Sequence, residues 1–508
     1  MGRALILDFG DQYAHLMARR LRELGVYSEL LPVASLSIDD VLREVEKSNA
    51  IVFSGVPSSS FSEETVSLAK KVVESGKPVL AVGSSHLLLA LALGGKIGPS
   101  PRSEHGPADV EILDRNDPLF KALPSKIRVW VSHTHSVIEA PPGSVTLARS
   151  SGSPVAAFKL GRVYSLYWHP EVTHTEYGIE LISKWLDTYN IDRSWKPEDV
   201  VEKIIEELKK ELKGARVISA VSGGVDSTTA TLLVQKVVGD SLKAIMIDHG
   251  FLPADEPQRS LKLLRSLDIN VELVDAKERF FKALKGVSDP EEKRRIFGKV
   301  YAEVLAEEAK KWGAEYLVQG TIYPDVIESG ERPGASLIKT HHNVAGLPKD
   351  FKLKLIEPLK WFYKDEVRRI AKSLGVPEEI VKRQPVPGPA LMVRVEGEIT
   401  EERVEIVRKA NAIVWEEIEK AGLADKLWQY FAVLTTSKAT GVRENRRVYG
   451  YVIAIRAVES SEAMTASPAR LPWDLLERIA LRITSEIPSV SRVVYDVTSK
   501  PPATIEWE

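Results

Sequence analysis

Ser222-Gly223-Gly224-Val225-Asp226-Ser227 has the residue types of a phosphate-binding loop. The apolar run ARVISAV (215–221) reads as a strand leading into it and TTATLLVQKV (228–237) as a helix leading out, so backbone N–H groups and a helix N-terminus converge on one small volume. Glycines let the main chain approach phosphate oxygens, the hydroxyls of Ser222, Ser227 and Thr228 can donate to them, and Asp226 can hold a cation or brace the loop. The loop is not a Walker A motif, because the lysine is missing and the spacing differs. A plain glycine turn with a helix cap is the blander reading of the same residues.

The elements that must position this loop follow from the apolar pattern. At 508 residues and roughly 150 per domain the chain suggests about three domains. ALILDF (4–9), AIVFSG (50–55) and PVLAVG (78–83), separated by helical segments, predict a first α/β domain with a parallel sheet over 1–188. SLKAIMIDHG (241–250), INVELVDA (269–276) and AEYLVQGT (314–321) continue the strand before the loop, giving a second parallel α/β domain over 198–385. The proline-dense RQPVPGPALMVRV (383–395) sustains neither helix nor central strand and marks a junction, after which 386–508 reads as a small α+β domain.

Composition removes several classes of function. The 69 basic and 71 acidic residues nearly cancel, so no overall field favours nucleic acid or an anionic membrane, and any phosphate chemistry is local. No apolar run approaches the length of a transmembrane helix and no secretory leader is evident, which makes a cytoplasmic location the expectation. Cysteine is absent, which excludes disulfides, thiolate metal sites and cysteine nucleophiles. His86, His133, His135, His169 and His174 are scattered, and read as hydrogen-bonded structural residues rather than metal ligands.

SGGVDS resembles the signature of the ATP pyrophosphatases, which cleave ATP to AMP and pyrophosphate while adenylating a substrate oxygen. The resemblance implies that Ile247, Asp248, His249 and Gly250 lie near the nucleoside, with His249 where that family usually has Asn; a loop-end histidine is the alternative. Further segments are similar to the GMP synthases within that group: Gln319-Gly320-Thr321-Ile322-Tyr323-Pro324, Ile338-Lys339-Thr340-His341-His342-Asn343, Pro385-Val386-Pro387-Gly388-Pro389 and the ending TSKPPATIEWE (498–508). That resemblance implies ATP and Mg²⁺ as cofactors, xanthosine monophosphate (XMP) and ammonia as substrates, and a homodimer formed through the C-terminal domain. Asp226, Ser227 and Lys339, the last on a lid segment, are the implied catalytic residues, with Asp226 also on the metal. Ser222 to Thr228, Ile247, Asp248 and Gly320 would hold the nucleotide; Arg383, Gln384, Pro387, Gly388, Lys500, Thr504, Ile505 and Glu506 would hold XMP. One departure is Glu444-Asn445 in place of the family's Gly-Asp.

Residues 1–185 resemble a class I glutamine amidotransferase domain, whose chemistry needs a cysteine thiolate, a histidine and an orienting acid. His169 and Glu171 match the last two, whereas PVLAVGSSHLLLALALGG (78–95) places Gly83 where the cysteine belongs. Ser84 and Ser85 follow, but a serine one residue along the turn points elsewhere and is far harder to ionise than a thiol. Leu87, Ser132-His133-Thr134-His135 and Gly55-Val56 also depart from the family's pattern, so several glutamine-handling features are missing together. The expectation is therefore an ATP-dependent ligase without glutaminase activity, its N-terminal domain serving as scaffold or ammonia conduit, as a dock for a separate glutaminase, or as a regulatory binding module. A non-catalytic nucleotide-binding relative is the competing class.

Overall fold

A computed structural model of the chain describes residues 2–11, 13–55, 61–328, 338–340, 353–460 and 466–508. It divides into two compact units, one spanning residues 1–199 and one running from Val200 to the end.

The first unit is built on β1 (Arg3–Asp8), β2 (Tyr27–Pro32), β3 (Ala50–Ser54), β4 (Val79–Val82), β5 (Lys96–Ile112), β6 (Lys126–Glu139), β7 (Val145–Ser150), β8 (Ala157–Leu160) and β9 (Val163–Leu166). They form one sheet in the order β2-β1-β3-β4-β9-β8-β7-β5-β6. Pairing is parallel from β2 through β9 and antiparallel beyond it. Every residue of β3 and β4 is buried, which is why these strands read as unbroken apolar runs rather than alternating ones. Crossover helices Ile38–Glu46 and Glu63–Glu74 begin at Ser37 and Ser62, whose hydroxyls accept the N–H groups of Asp40 and Thr65. Leu5, Leu7, Ile51, Phe53, Val79 and Ala81 form the core beneath them. The antiparallel extension differs from the all-parallel expectation, because the polar, outward-facing residues of β5 and β6 dilute the apolar signal along strands with one wet face.

The second unit carries β10 (Val217–Ala220), β11 (Leu242–Asp248), β12 (Val271–Asp275), β13 (Tyr316–Val318), β14 (Ile338–Thr340) and β15 (Lys354–Ile356) in the order β12-β11-β10-β13-β15-β14. Only β14 runs antiparallel. Toward the C-terminus, β16 (Gln429–Arg443), β17 (Arg446–Glu459), β18 (Ser467–Pro468) and β19 (Val490–Tyr495) form a second sheet, flanked by helices Glu401–Lys420 and Trp473–Glu486. Glu444 and Asn445 make the two-residue turn between β16 and β17, both with positive φ (48° and 59°). The expected division at 385/386 falls within this unit, whose buried core runs without a break from Ile218 and Ile245 through Leu391 and Met392 to Ile453 and Ile455. Among the described residues no helix is long and apolar enough to cross a membrane.

Candidate active site

β10 ends at Ala220, and the chain turns through the glycine loop into helix Val225–Val238. Gly223 has φ +78°, and a side chain there would begin 2.4 Å from Ser260 Oγ, so only glycine fits. Ser227 Oγ accepts from the N–H of Ser222 (3.2 Å) and donates to the carbonyl of Gly224 (3.2 Å), which closes the loop upon itself. Gly320, just past β13, comes so near the helix start that a Cβ would lie 2.8 Å from the Ser227 nitrogen. Two strand ends and one helix N-terminus thus meet at the loop.

A cleft of about 810 Å³ opens over it, lined by Ser222 and by Gly224 through Ser227. Ile247 and His249 at the end of β11 form part of its wall, Gly320 another, and Arg383, Gln384, Pro387 and Gly388 of the junction face it from the far side. Two expected nucleotide contacts lie elsewhere. Thr228 is fully buried on the helix, its hydroxyl enclosed without a partner and its N–H donating to the Gly224 carbonyl (3.0 Å). Asp248 alternates with Ile247 and His249 along the strand and so faces away, where its carboxylate takes Lys277 Nζ (3.0 Å) and the N–H of Gly250 (3.0 Å). His249 is buried against Phe251, Phe280 and Phe297, and this desolvation pushes its imidazole down to about 4, so it presents a neutral ring to the cleft.

Charge in the cleft is arranged in pairs. Lys364 is ion-paired with Asp226 Oδ2, while Asp226 Oδ1 is buried without a hydrogen-bond partner. That orphaned oxygen fits Mg²⁺, which is commonly held by one or two carboxylates together with substrate phosphates and water. Arg383 pairs with Glu256 and donates to the Gly223 carbonyl (3.1 Å), bracing the loop. The segment Arg383-Gln384-Pro385 is also one wall of a second cleft, of about 770 Å³, into which Arg259, Arg368, Arg369 and Lys382 bring positive charge.

The tail residues Lys500, Thr504, Ile505 and Glu506 line neither cleft. Arg456, fully buried on β17, gathers the tail by donating to the carbonyls of Thr498 (2.6 Å), Thr504 (3.0 Å) and Ile505 (3.4 Å). Lys500 pairs through its backbone with Ala466. The Glu506 carboxylate is gripped by Arg394 through Nε (3.1 Å) and Nη2 (2.9 Å), and receives Gln429 Nε2 (3.1 Å). Gln429 also donates to the Pro385 carbonyl (2.7 Å), so one amide links tail and junction.

In the first unit, Gly83 occupies the tight turn after β4 with φ +59°. A Cβ on it would lie 2.4 Å from Cε1 and 2.7 Å from Nε2 of His169, so the imidazole fills the volume a side chain at 83 needs. His169 Nδ1 is 2.8 Å from Glu171 Oε1, and the ring of Tyr13 packs edge-on at 4.9 Å. Burial disfavours charge on His169, yet Glu171 and, beyond it, Asp11 outweigh that effect and hold its pKa above the ordinary value. Ser85 is fully buried with an unpartnered hydroxyl, and no nucleophile faces the histidine from position 83. His86 bridges Ser165 Oγ (2.8 Å) and the Val155 carbonyl (2.9 Å) inside the core.

Reading the sequence alone missed Lys364, Glu256, Arg394, Gln429 and Arg456. Arg394, Arg456 and Gln429 had a signal, as solitary polar residues within the apolar runs ALMVRV, YVIAIRAV and LWQYFAVL; the other two sit in ordinary polar surroundings. Lys339 lies on β14, its backbone opposite Leu355, but its side chain is outside the described residues.

Comparison with known proteins accounts for this assembly. Residues 5–188 match the glutamine amidotransferase class-I family, 198–303 the NAD synthase family and 416–507 the GMP synthase C terminal domain family. The chain is 58% identical to the glutamine-hydrolysing GMP synthase of Aeropyrum pernix over 99% of its length and 98% of that protein's. It is 48% identical to the Pyrobaculum aerophilum enzyme of the same name over the whole of both chains, and 46% identical to that of Aquifex aeolicus over 99% of each. With a cleft over the glycine loop, a C-terminal sheet followed by the tail TSKPPATIEWE and relatives matched from end to end, the chain belongs to the GMP synthase family of carbon–nitrogen ligases.

Proposed function

We propose that the chain aminates XMP with free or partner-supplied ammonia: XMP + ATP + NH₃ → GMP + AMP + pyrophosphate. The observation that carries the reading is the pairing of a complete phosphate loop and cleft in one unit with an elbow that has glycine, and a histidine ring, in the nucleophile's place in the other.

In the proposed reaction, the loop N–H groups and the Ser222 and Ser227 hydroxyls bind the triphosphate, and the neutral, aromatic-backed wall at Ile247 and His249 borders the nucleoside. Asp226 would hold Mg²⁺, which supplies charge neutralisation to the phosphates when bound. The purine C2 oxygen attacks the α-phosphorus and pyrophosphate leaves; ammonia then adds to C2 and AMP departs with that oxygen. Lys364, ion-paired beside the loop with Asp226, would be a cation for the leaving pyrophosphate, and the resemblance adds Lys339 as a second. Arg383 and the basic second cleft beside it suit the XMP phosphate. Exposed apolar residues on the C-terminal sheet and its helix, Val442, Tyr449, Trp473 and Leu481, support a homodimer through this region.

Purified chain is to be assayed with ATP, XMP and either ammonium or glutamine. GMP formation with ammonium and none with glutamine is the expected outcome. ATP binding without XMP-dependent pyrophosphate release would reduce the protein to a nucleotide binder, and glutamine-driven turnover free of ammonia would return the lost half-reaction to it.

A further inference from the structure

The ligase chemistry uses none of the polar groups at the elbow of the first unit, yet two buried ones, His169 and Glu171, and the half-buried Asp11 converge there. We propose that Asp11, His169 and Glu171 form a binding site for one divalent transition-metal ion of the zinc or manganese kind. Each offers a donor atom, and the three donors lie within 4.8 Å of one another. One imidazole nitrogen and two carboxylate oxygens are a ligand set that such ions accept, with a fourth position left to water. Metal–ligand bonds of about 2.0–2.2 Å put donors roughly 3.4 Å apart around a tetrahedral ion, so side-chain adjustments of about an ångström bring them into range.

A second observation points to the same ligand. Glu171 is wholly buried, and its Oε2 has no hydrogen-bond donor. A buried carboxylate oxygen left in that state is costly, and a cation supplies what the protein does not.

The supporting shell is already in place. Asp11 Oδ2 accepts from Ser54 Oγ (2.7 Å) and Oδ1 from the N–H of Tyr13 (3.1 Å). Gly55, with φ +58°, lets Asp11 approach so closely that a Cβ at 55 would fall 2.2 Å from that of Asp11. Most tellingly, the His169 ring holds its position only because residue 83 has no side chain. A side chain at position 83 would therefore have to displace one of the three ligands.

The test uses the full chain, stripped with a chelator and titrated calorimetrically with Zn²⁺ and, separately, Mn²⁺. Saturable binding of one equivalent per chain of at least one ion is expected, with a rise in melting temperature. Asp11→Asn and Glu171→Gln should each weaken binding about tenfold or more. Gly83→Ala keeps all three ligands but displaces the ring, and should weaken binding comparably; circular dichroism on the metal-free variants establishes that they are folded. Visible absorption of the Co²⁺-loaded wild-type chain, expected to show the intense bands of a four-coordinate site, provides a reading that needs no variant. Absence of saturable binding by both ions, or unchanged affinity in Asp11→Asn and Gly83→Ala, overturns the proposal.

Discussion

The imidazole of His169 stands where the first carbon of a side chain at position 83 would have to be: an ideal Cβ on Gly83 lies 2.4 Å from Cε1 of that ring. Bringing back a thiol is therefore not sufficient to bring back its chemistry. Gly83→Cys alone is expected to leave glutamine hydrolysis at background, because the new side chain must first evict the base that would activate it. Glutamate release from glutamine measures this, and a rate well above background would show that the ring moves freely.

The phosphate loop makes a sharper demand. Asp226→Asn and Ser227→Ala should each lower XMP-dependent pyrophosphate release by about a hundredfold or more, since donors and charges aimed at the phosphates act mainly in the transition state. Asp226→Asn should move the melting temperature little, because Asp226 is half-buried and its pair with Lys364 is partly exposed, whereas Ser227→Ala also removes the bonds that close the loop and should cost about 1 kcal/mol. Equal losses in activity and in folded protein would assign these residues to stability instead.

Arg394 presents a different case. It is almost completely buried, grips the Glu506 carboxylate with two nitrogens and donates to Asn411 Oδ1 (3.2 Å). Arg394→Met should cost about 3–5 kcal/mol, as removal of one partner from a buried ion pair does. Denaturant unfolding is the measurement, and a loss under about 1 kcal/mol would mean that water reaches Glu506 and replaces the guanidinium.

How much of this was legible beforehand depended on whether the signal was local. The glycine loop, its strand and its helix were readable because phosphate binding imposes glycine, hydroxyl and helix start within a few consecutive residues. Ile247 and His249 were placed by the strand end, but Asp248 was assigned to the same face although a strand alternates, and the Thr228 hydroxyl was counted as a donor although the helix buries it. Lys364 could not be anticipated: it meets Asp226 across 138 positions of sequence, and nothing in WFYKDEVRR marks one lysine as special. The elbow was legible as an absence, cysteine being missing everywhere, but the ring filling the space was not, because no motif encodes where a retained histidine relaxes to.

Buried histidine predicts a pH response. Burial pushes His86 down to about 4 from an ordinary 6.5. A folded-state value below the unfolded one means that the neutral ring's stabilisation is complete above pH 6.5 and is lost as the pH falls toward 4. The melting temperature should decline across that window, and His86→Gln, which cannot take up the proton, should flatten the decline. An unchanged slope would place the acid sensitivity in other groups, of which His249 is the next to test.

At Glu444 the backbone adopts φ 48°, a conformation that costs an L-residue with a side chain roughly 1–2 kcal/mol. Glu444→Gly should therefore raise stability by about 0.5–1 kcal/mol after the entropy glycine surrenders. A fall in the denaturation midpoint would indicate that the Glu444 side chain contributes a contact worth more than the strain.

The guanidinium of Arg383 serves two masters. It holds the Gly223 carbonyl and Glu256 on one side, while its segment borders the basic cleft on the other. An anion in that neighbouring cavity would share this guanidinium with Glu256 and the loop carbonyl. One side chain thus joins the glycine loop to the basic cavity, and a change at position 383 reaches both.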